Sequence, residues 1–454
     1  MKITASLIQF TLIAALGGLL FGFDTAVISG TTSDLVRVFR LDDFYLGQTV
    51  AIALYGTILG SVLAGFPAEK FGRKKVLITV ALLYLSCALG CALAKNWYMF
   101  LFFRFLGGLG VGGSSVVAPL YIAEIAPPAL RGRLVGLNQF NIVCGILLAF
   151  LSNYLIARNI HEDAWRWMLG VQAIPATLFF LLLFFIPDSP RWLVKQRRDE
   201  EARKVLLNTG IGNPDEVIRD IESSIHAERA ERNEPLFSAK YRRPILYAVL
   251  LAMFNQLAGI NAILYYAPKI FEQAGFGKDA AMLQSVGIGL TNLVFTILAM
   301  TLIDRFGRKT LMLVGSIGMI VFLSLCASVF YHPAAQDKLL LLYLVGFIAF
   351  FAFSQGAVIW VFISEIFPNK VREKGQSLGT FTHWAMAAIV TGIFPVVASR
   401  YGGGISFTFF ACMMFLQLLF VWKVMPETKA RSRQENLRGA RTGKSPEYPR
   451  DSIA

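Results

Sequence analysis

The chain has 454 residues, of which 56% are hydrophobic and 16% are charged, and its mean hydropathy is +0.58. This composition excludes a string of soluble domains and indicates an integral membrane protein. The formal net charge of +14 would suit nucleic acid, but the basic residues gather in alternate loops between apolar runs, as cytoplasmic loops do. We therefore expect a lipid bilayer around the chain and no nucleic acid as a partner.

Twelve apolar runs follow one another along the chain. Each is near the length of about 20 residues at which a helix crosses the hydrocarbon layer with its backbone hydrogen bonds satisfied. The first run is too long for a signal-peptide core and has no clear cleavage site, so we interpret it as a retained helix. The predicted spans are residues 7–30, 46–68, 75–94, 97–121, 134–157, 165–187, 244–267, 281–303, 310–331, 340–364, 375–398 and 403–425.

The order of the charged motifs indicates an internal duplication. Three motifs return in the second half of the chain in the same order and at similar separations, which two similar halves explain better than chance. We therefore predict an all-α membrane protein with two pseudo-symmetric bundles of six transmembrane helices. The repeated motifs are GFPAEKFGRKK at 65–75 with DRFGRK at 304–309, the pair Glu124 and Arg131 with the pair Glu365 and Arg372, and Pro187-Asp188 with Pro426-Glu427.

A polar segment separates the two sets of six runs. Its charges are nearly balanced and its short periodic stretches are typical of amphipathic helices on the cytoplasmic face. The basic loops place both termini in the cytoplasm, and the polar tail is predicted to be disordered. The predicted parts are an N-terminal bundle (1–190), a cytoplasmic linker (191–243), a C-terminal bundle (244–429) and the tail (430–454).

Two ionisable residues stand inside apolar runs: Asp24 in GFDTAVISG and Arg104 in FFRFLGGLGVGGSS. A charge at the centre of a membrane helix costs about 2.5 to 3.5 kcal/mol on insertion scales, and such residues commonly mark pathways or proton relays. A static buried ion pair is the alternative. We favour a functional pair, because separating the two groups would change the proton affinity of the carboxylate strongly.

Amides and aromatic rings recur together inside the later runs. Amides bind the hydroxyls of a neutral polyhydroxylated ligand, and ring faces cover its C–H surface. Each amide alone would also serve to join helices, a contact worth about 0.6 kcal/mol on average. The set comprises Asn138, Gln139, Asn255, Gln256, Asn261, Asn292, Gln355 and His383, with the rings of Tyr265, Tyr266, Trp360 and Trp384.

An acid near a helix end is followed seven residues later by a base in both halves, as Glu124 with Arg131 and Glu365 with Arg372. Charges such as Lys74 are adequately explained as solvated loop residues. The repeated acid and base instead predict a gate that joins helix ends and breaks when the cytoplasmic side opens.

Segments along nearly the whole chain resemble the sugar porters of the major facilitator superfamily, in the family's order. The resemblance implies the major facilitator fold, with a central sugar site between two six-helix bundles and alternating access. The segments that carry it are GFDTAVISG, RFLGGLGVGG, YIAEIAPPALRGRLVGLNQ, PDSPRW, NQLAGINAILYYAP, DRFGRK, WVFISEIFP and PETK.

The resemblance also implies roles for single positions. Asp24 and Arg104 are similar to the proton-coupling pair of bacterial xylose and glucose symporters. Sugar contacts carry over to Gln139, Gln256, Asn261, Asn292 and Trp360, with wall positions at Phe21, Tyr265 and Gly356. The inner charge network carries over to Arg73, Glu124, Arg131, Asp188, Arg308, Glu365 and Arg372.

Four positions depart from the family pattern. Asn255 replaces the usual glutamine, and His383 replaces glutamine or asparagine before Trp384. Ile146 stands where xylose symporters carry a glutamine, and Glu373 where the motif has glycine. Asn255, Ile146 and His383 are expected to line the sugar site, so the sequence leaves the identity of the sugar open, and His383 adds a second titratable group there.

The sequence thus predicts a transporter that imports a hexose or pentose with a proton, as a monomer in a bacterial cell membrane. We expect no enzymatic activity, metal or cofactor: the proton gradient is the driving force, and the five cysteines lie in apolar runs without metal-ligand spacing. Two alternatives are a proton-independent facilitator with a purely structural Asp24 and Arg104 pair, and a membrane sugar sensor. The short tail disfavours the sensor.

Overall fold

The computed structural model describes residues 4–231, 234–332 and 339–428, without the side chains of residues 226–231, 304 and 369. All regular secondary structure in these ranges is helical. The predicted tail, 430–454, lies outside the described residues. The first half contains six apolar helical segments, named here spans 1 to 6, which are Ala5–Phe39, Asp43–Leu63, Arg73–Ala92, Trp97–Ile125, Arg131–Asn159 and Ala164–Phe185.

The second half also contains six spans. Spans 7 to 10 are Ala239–Gln273, Lys278–Ile303, Arg308–Tyr331 and Leu340–Ile366. Spans 11 and 12 form one helical segment, Arg372–Lys423, of 52 residues, whose backbone breaks at Gly402 with a φ of 82°. A straight helix of this length would be more than twice as long as the hydrocarbon layer is thick. The break therefore makes two spans of it, and the predicted twelve spans in two bundles are confirmed.

Two spans of the second half are interrupted near their middle. Span 7 breaks between Arg242–Leu257 and Ile260–Gln273 at Gly259, whose φ of 84° favours glycine. Span 10 contains a π-helical turn, Ala352–Gly356, and such turns are frequent at functional sites. These interruptions turn side chains away from the regular helical faces at the depth where the amide side chains lie.

The linker contains three short helices, Pro190–Lys195, Asp199–Asn208 and Pro214–Glu231. Trp192, Leu206 and neighbouring apolar residues form a small core between them. Two polar contacts join these helices to the first half: Lys195 Nζ lies 3.2 Å from Glu69 Oε2, and Thr4 Oγ1 donates to the carbonyl of Asn208 at 2.7 Å. We call this end of the molecule the linker side and the opposite end the far side.

The halves pack against each other through spans 2 and 11 and through spans 5 and 8. Near the far side the backbones of spans 2 and 11 touch, since a Cβ on Gly47 would lie 1.9 Å from the carbonyl oxygen of Gly392. Small residues permit such close approach of membrane helices. The far side is therefore closed in this arrangement.

Replacing Gly47 with leucine is expected to prevent this closure, because the added side chain overlaps the backbone of Gly392. The distance between spin labels on the far-side ends of spans 2 and 11 should increase. Gly65→Ala is the matched control, because a Cβ there meets nothing within 4 Å. An unchanged distance in Gly47→Leu would show that the contact is not what limits closure.

Candidate functional site

Asp24 and Arg104 meet at the centre of the first half. Nη1 of Arg104 donates to Oδ1 of Asp24 at 2.9 Å, and the side chains are 0% and 2% exposed, respectively. The structure thus brings together the two residues that the sequence singled out, from spans 1 and 4. Gly107 leaves room for this approach, since a Cβ there would lie 2.4 Å from Cys87 Sγ and 3.5 Å from Asp24 Oδ1.

Two neutral donors also approach the Asp24 carboxylate. Nε2 of Gln172 lies 3.4 Å from Oδ1, and the thiol of Cys87 lies 3.8 Å from the same atom. Spans 3 and 6 therefore contribute to the surroundings of the pair. Sequence reasoning missed both residues, although a glutamine inside the apolar sixth span was a visible signal.

Arg104 is incompletely hydrogen-bonded. Its Nε and Nη2 atoms are buried and have no partner among the described residues. An unsatisfied buried donor costs about 1 to 3 kcal/mol, and more for a charged group. A pair that served packing alone would be expected to satisfy these donors, so the geometry favours a pair whose arrangement changes.

A cluster of amides lies at the break in span 7. Oε1 of Gln256 accepts from Asn261 Nδ2 at 2.8 Å, and Nε2 of Gln256 donates to Asn255 Oδ1 at 3.0 Å. The same Nε2 lies 3.3 Å and 3.2 Å from the two ring nitrogens of His383 in span 11. The left-handed backbone of Gly259 redirects the chain between Gln256 and Asn261, which lets these two amides meet.

Aromatic rings line the amide cluster on one side. The ring centroids of Trp360 and His383 are 4.8 Å apart, those of His383 and Trp384 4.9 Å, and those of Phe21 and Trp384 5.6 Å. Trp360 is 38% exposed while Trp384 is buried. The indole of Trp360, four residues after the π-helical turn that ends at Gly356, thus offers an open face beside buried amides.

Tyr265 links this region to the ion pair. It is buried in span 7 and lies close enough to Asp24 and Arg104 to interact with both electrostatically. Gln139 and Asn292 lie on spans 5 and 8, which pack together. Their amides form no hydrogen bond within the described residues, so they are available to a ligand but do not belong to the Gln256 cluster.

Two of the amides grouped with the ligand-binding set, Gln355 and Asn138, are not part of the Gln256 cluster. Nε2 of Gln355 donates to Gln417 Oε1 at 2.6 Å, and Gln417 donates to Ser316 at 2.8 Å. Asn138 packs on span 1, where a Cβ on Gly18 would lie 2.7 Å from its Oδ1. Gln355 therefore joins helices, which is the alternative that its sequence pattern left open, whereas Oδ1 of Asn138 is buried without a hydrogen-bond partner among the described residues.

Charged residues repeat with pseudo-symmetry at the linker side. Arg73 Nη2 lies 2.7 Å from Glu124 Oε1, and Arg308 donates from Nε and Nη2 to both oxygens of Glu365 at 3.1 and 2.8 Å. Each acid thus pairs within its own half. Arg131 and Arg372 form no ion pair in the described part of the chain, so the predicted gate does not join the halves through them in this arrangement.

Backbone geometry explains why Glu124 pairs with Arg73 and Glu365 pairs with Arg308. Gly72 and Gly307 have φ values of 94° and 86°, and each reverses the chain so that the next residue, Arg73 or Arg308, turns inward at a helix start. Glu427 accepts from the backbone N–H groups of Arg308 and Lys309 at 3.1 and 2.9 Å. A carboxylate at this helix start is favoured by the unpaired N–H groups and the helix dipole.

Asp188 occupies the equivalent place in the first half. A Cβ on Gly72 would lie 3.1 Å from Asp188 Oδ1. Burial raises the pKa of Asp188 above its ordinary value, and the nearby Lys74 and Arg198 oppose that shift. Asp188 thus lies within the charge network that the resemblance implied.

Residues 10–437 match the family model described as "Sugar (and other) transporter". The arabinose-proton symporter of Bacillus subtilis is 37% identical over 93% of this chain and 92% of that protein. The D-xylose-proton symporter of Escherichia coli K12 is 37% identical over 94% of each. A partially occluded inward-open structure of the E. coli xylose transporter matches with a TM-score of 0.84 at 36% identity, covering 94% of this chain and 99% of that one. The chain belongs to the sugar transporter family.

This sugar transporter therefore has two regions of interest at its centre: an ion pair in the first half and an amide and aromatic cluster in the second. Asn255 and His383, the two departures in span 7 and span 11, both contact Gln256. The shorter amide and the imidazole thus belong to one hydrogen-bonded group. Ile146 is 5% exposed and belongs to the apolar core.

Replacing Glu365 with glutamine should lower the stability of the transporter. The change removes the charge of the carboxylate that pairs with the guanidinium of Arg308, whose side chain is 8% exposed, and breaking a buried pair costs about 3 to 5 kcal/mol. Thermal unfolding in detergent measures the effect. Glu373→Gln is the control, since Glu373 is exposed and forms no ion pair in the described residues; equal melting of the two variants would contradict the prediction.

Proposed function

We propose that this transporter imports a monosaccharide, a hexose or pentose, together with a proton by alternating access. The observation that carries the proposal is the buried pair of Asp24 and Arg104, 2.9 Å apart, next to a cluster of amides and rings. The named activities of the B. subtilis arabinose-proton symporter and the E. coli xylose-proton symporter support it. We infer transport without enzymatic activity, with no cofactor and with the proton gradient as the driving force.

The amide cluster is suited to a neutral sugar. Gln256 offers both a carbonyl oxygen and an amide nitrogen, and its partners Asn261 and Asn255 do the same. These groups hydrogen-bond to one another, so a sugar hydroxyl exchanges one hydrogen bond for another at little net cost. The open face of Trp360 then covers the C–H surface of the ring.

The ion pair is suited to couple protonation to movement. While Asp24 is ionised, its attraction to Arg104 holds spans 1 and 4 together. Two unit charges about 4 Å apart attract by about 4 kcal/mol at an effective dielectric constant of 20. Protonation of the carboxylate removes this attraction, which is enough to change a two-state equilibrium by about a thousandfold. Tyr265 of span 7 lies near both members of the pair, so the change in charge also acts on span 7.

The arrangement of the chain supports a specific orientation. The basic loops lie on the linker side, so we infer that the linker side and both termini are cytoplasmic. The far side, closed at Gly47 and Gly392, is then extracellular, as in an inward-facing transporter. We further infer a bacterial cell membrane as the location, a monomer as the working unit, and no nucleic acid partner.

Asp24→Asn is expected to abolish accumulation of labelled sugar against a concentration gradient in proteoliposomes, because the amide cannot exchange a proton, while exchange of internal for external sugar continues. Xylose and arabinose are suitable probes. Wild-type protein with the proton gradient collapsed by an ionophore is the control and should behave like the variant. Accumulation by Asp24→Asn would show that the proton is not coupled through Asp24, whereas gradient-independent equilibration by the wild type would favour a facilitator.

Gln256→Leu is expected to weaken sugar binding by at least tenfold, because a site that hydrogen-bonds hydroxyls leaves them unpaired when a donor is lost. A thermal-shift panel of glucose, xylose, arabinose, galactose and inositol on purified protein first identifies the sugar, and a titration then gives the affinity. Gln417→Leu is the matched control, since Gln417 is a buried amide outside the cluster. If Gln256→Leu binds the sugar as tightly as Gln417→Leu does, Gln256 is excluded from the site.

A further inference from the structure

Three polar contacts join the two halves at the far side. Asp34 Oδ1 lies 3.8 Å from Lys278 Nζ, and Asp43 Oδ1 lies 3.7 Å from Lys269 Nζ. Ser33 donates to Glu272 Oε2 at 3.5 Å. Each contact connects the end of span 1 or the start of span 2 to the end of span 7 or the start of span 8.

Two pairs of opposite charge face each other across the halves. The first half presents the carboxylates of Asp34 and Asp43, and the second half presents the ammonium groups of Lys269 and Lys278. The second half also presents the carboxylate of Glu272, which accepts from Ser33 and repels Asp34. Arg37 is the one cation of the first half in this group, and its Nη2 donates to Asp34 at 3.0 Å. It therefore holds the Asp34 carboxylate in place rather than opposing Lys278 from across the gap.

These contacts surround a dry seam between the halves. Leu35 and Val27 of span 1 and Ile263 and Phe271 of span 7 belong to one buried core. The side chains of Asp34 and Lys269 are 10% and 27% exposed, and those of their partners Lys278 and Asp43 are 51% and 41% exposed. Each pair thus joins a more buried group to an exposed one and is open to screening by salt. All of these groups would separate if spans 1 and 2 moved away from spans 7 and 8.

We propose that the Asp34–Lys278 and Asp43–Lys269 pairs, together called the far-side ion pairs, hold the far side closed and set the balance between its closed and open states. The proposal rests on the alternating movement in the proposed function, but not on proton coupling or on the identity of the sugar. Its physical consequence is a dependence on salt, because the Debye length falls from about 30 Å at 0.01 M to about 3 Å at 1 M salt.

The distance between two spin labels across the far side tests the proposal. Labels at Glu162 and Ser399 lie on exposed residues of opposite halves, away from the ion pairs. Cys144 and Cys412, the native thiols that are not buried, are replaced by serine in the labelled background. Distances are measured without sugar and without a proton gradient, so the result does not depend on whether the protein is a symporter.

At about 0.01 M NaCl the background protein should populate the short distance of the closed far side. The double variant Asp34→Asn with Asp43→Asn should raise the ratio of the long (open) to the short (closed) distance roughly 2- to 20-fold. About 1 M NaCl should shift the background in the same direction. Asp279→Asn is the control, since this exposed carboxylate next to Lys278 forms no ion pair in the described residues.

Exchange of the charges provides a second test. Asp43→Lys alone should open the far side, and Asp43→Lys combined with Lys269→Asp should restore the closed population. The proposal is overturned if the double asparagine variant matches the background at low salt, if the background does not respond to salt, or if the exchanged pair behaves like Asp43→Lys alone.

Discussion

The attraction between Asp24 and Arg104 is the interaction on which the rest of this molecule depends. Neither charge is tolerable alone at the depth of the hydrocarbon layer, so spans 1 and 4 must stay close while both are ionised. The glycines of span 4 make that approach possible, and Gly107 in particular admits Cys87 and Asp24 on the same face. The packing of the first half therefore follows from the need to neutralise one carboxylate.

The second half differs in that it presents polar groups inside an apolar bundle. In a regular helix the backbone groups hydrogen-bond to one another and successive side chains are separated by a fixed angle, so amides one turn apart lie on the same face. The break at Gly259 and the π-helical turn at 352–356 change that rotation locally. Gln256 and Asn261 meet across the break in span 7, and Trp360 follows the π-helical turn and packs against His383. Irregular backbone thus positions the polar groups of the second half.

Much of this arrangement could be predicted from the sequence, because apolar length and basic loops are local properties. The twelve spans, the presence of Asp24 and Arg104 inside them and the repeated charged loops followed from them, whereas the contact between Asp24 and Arg104 did not. The partners of Glu124 and Glu365 did not, since they depend on the positive φ values of Gly72 and Gly307. Cys87, Gln172 and the far-side ion pairs were also missed. Contacts between spans depend on how each helix is rotated about its axis, and hydropathy alone does not determine that rotation.

The attachment of the linker helices to the first half has a practical consequence. Thr4 and Glu69, at the start of span 1 and before span 3, both contact the linker helices, so these helices are attached to the first bundle. An antibody fragment bound to the linker would add mass to one body of the transporter and leave the other free. Such a fragment would give electron microscopy a fixed reference from which the tilt of the second body can be measured.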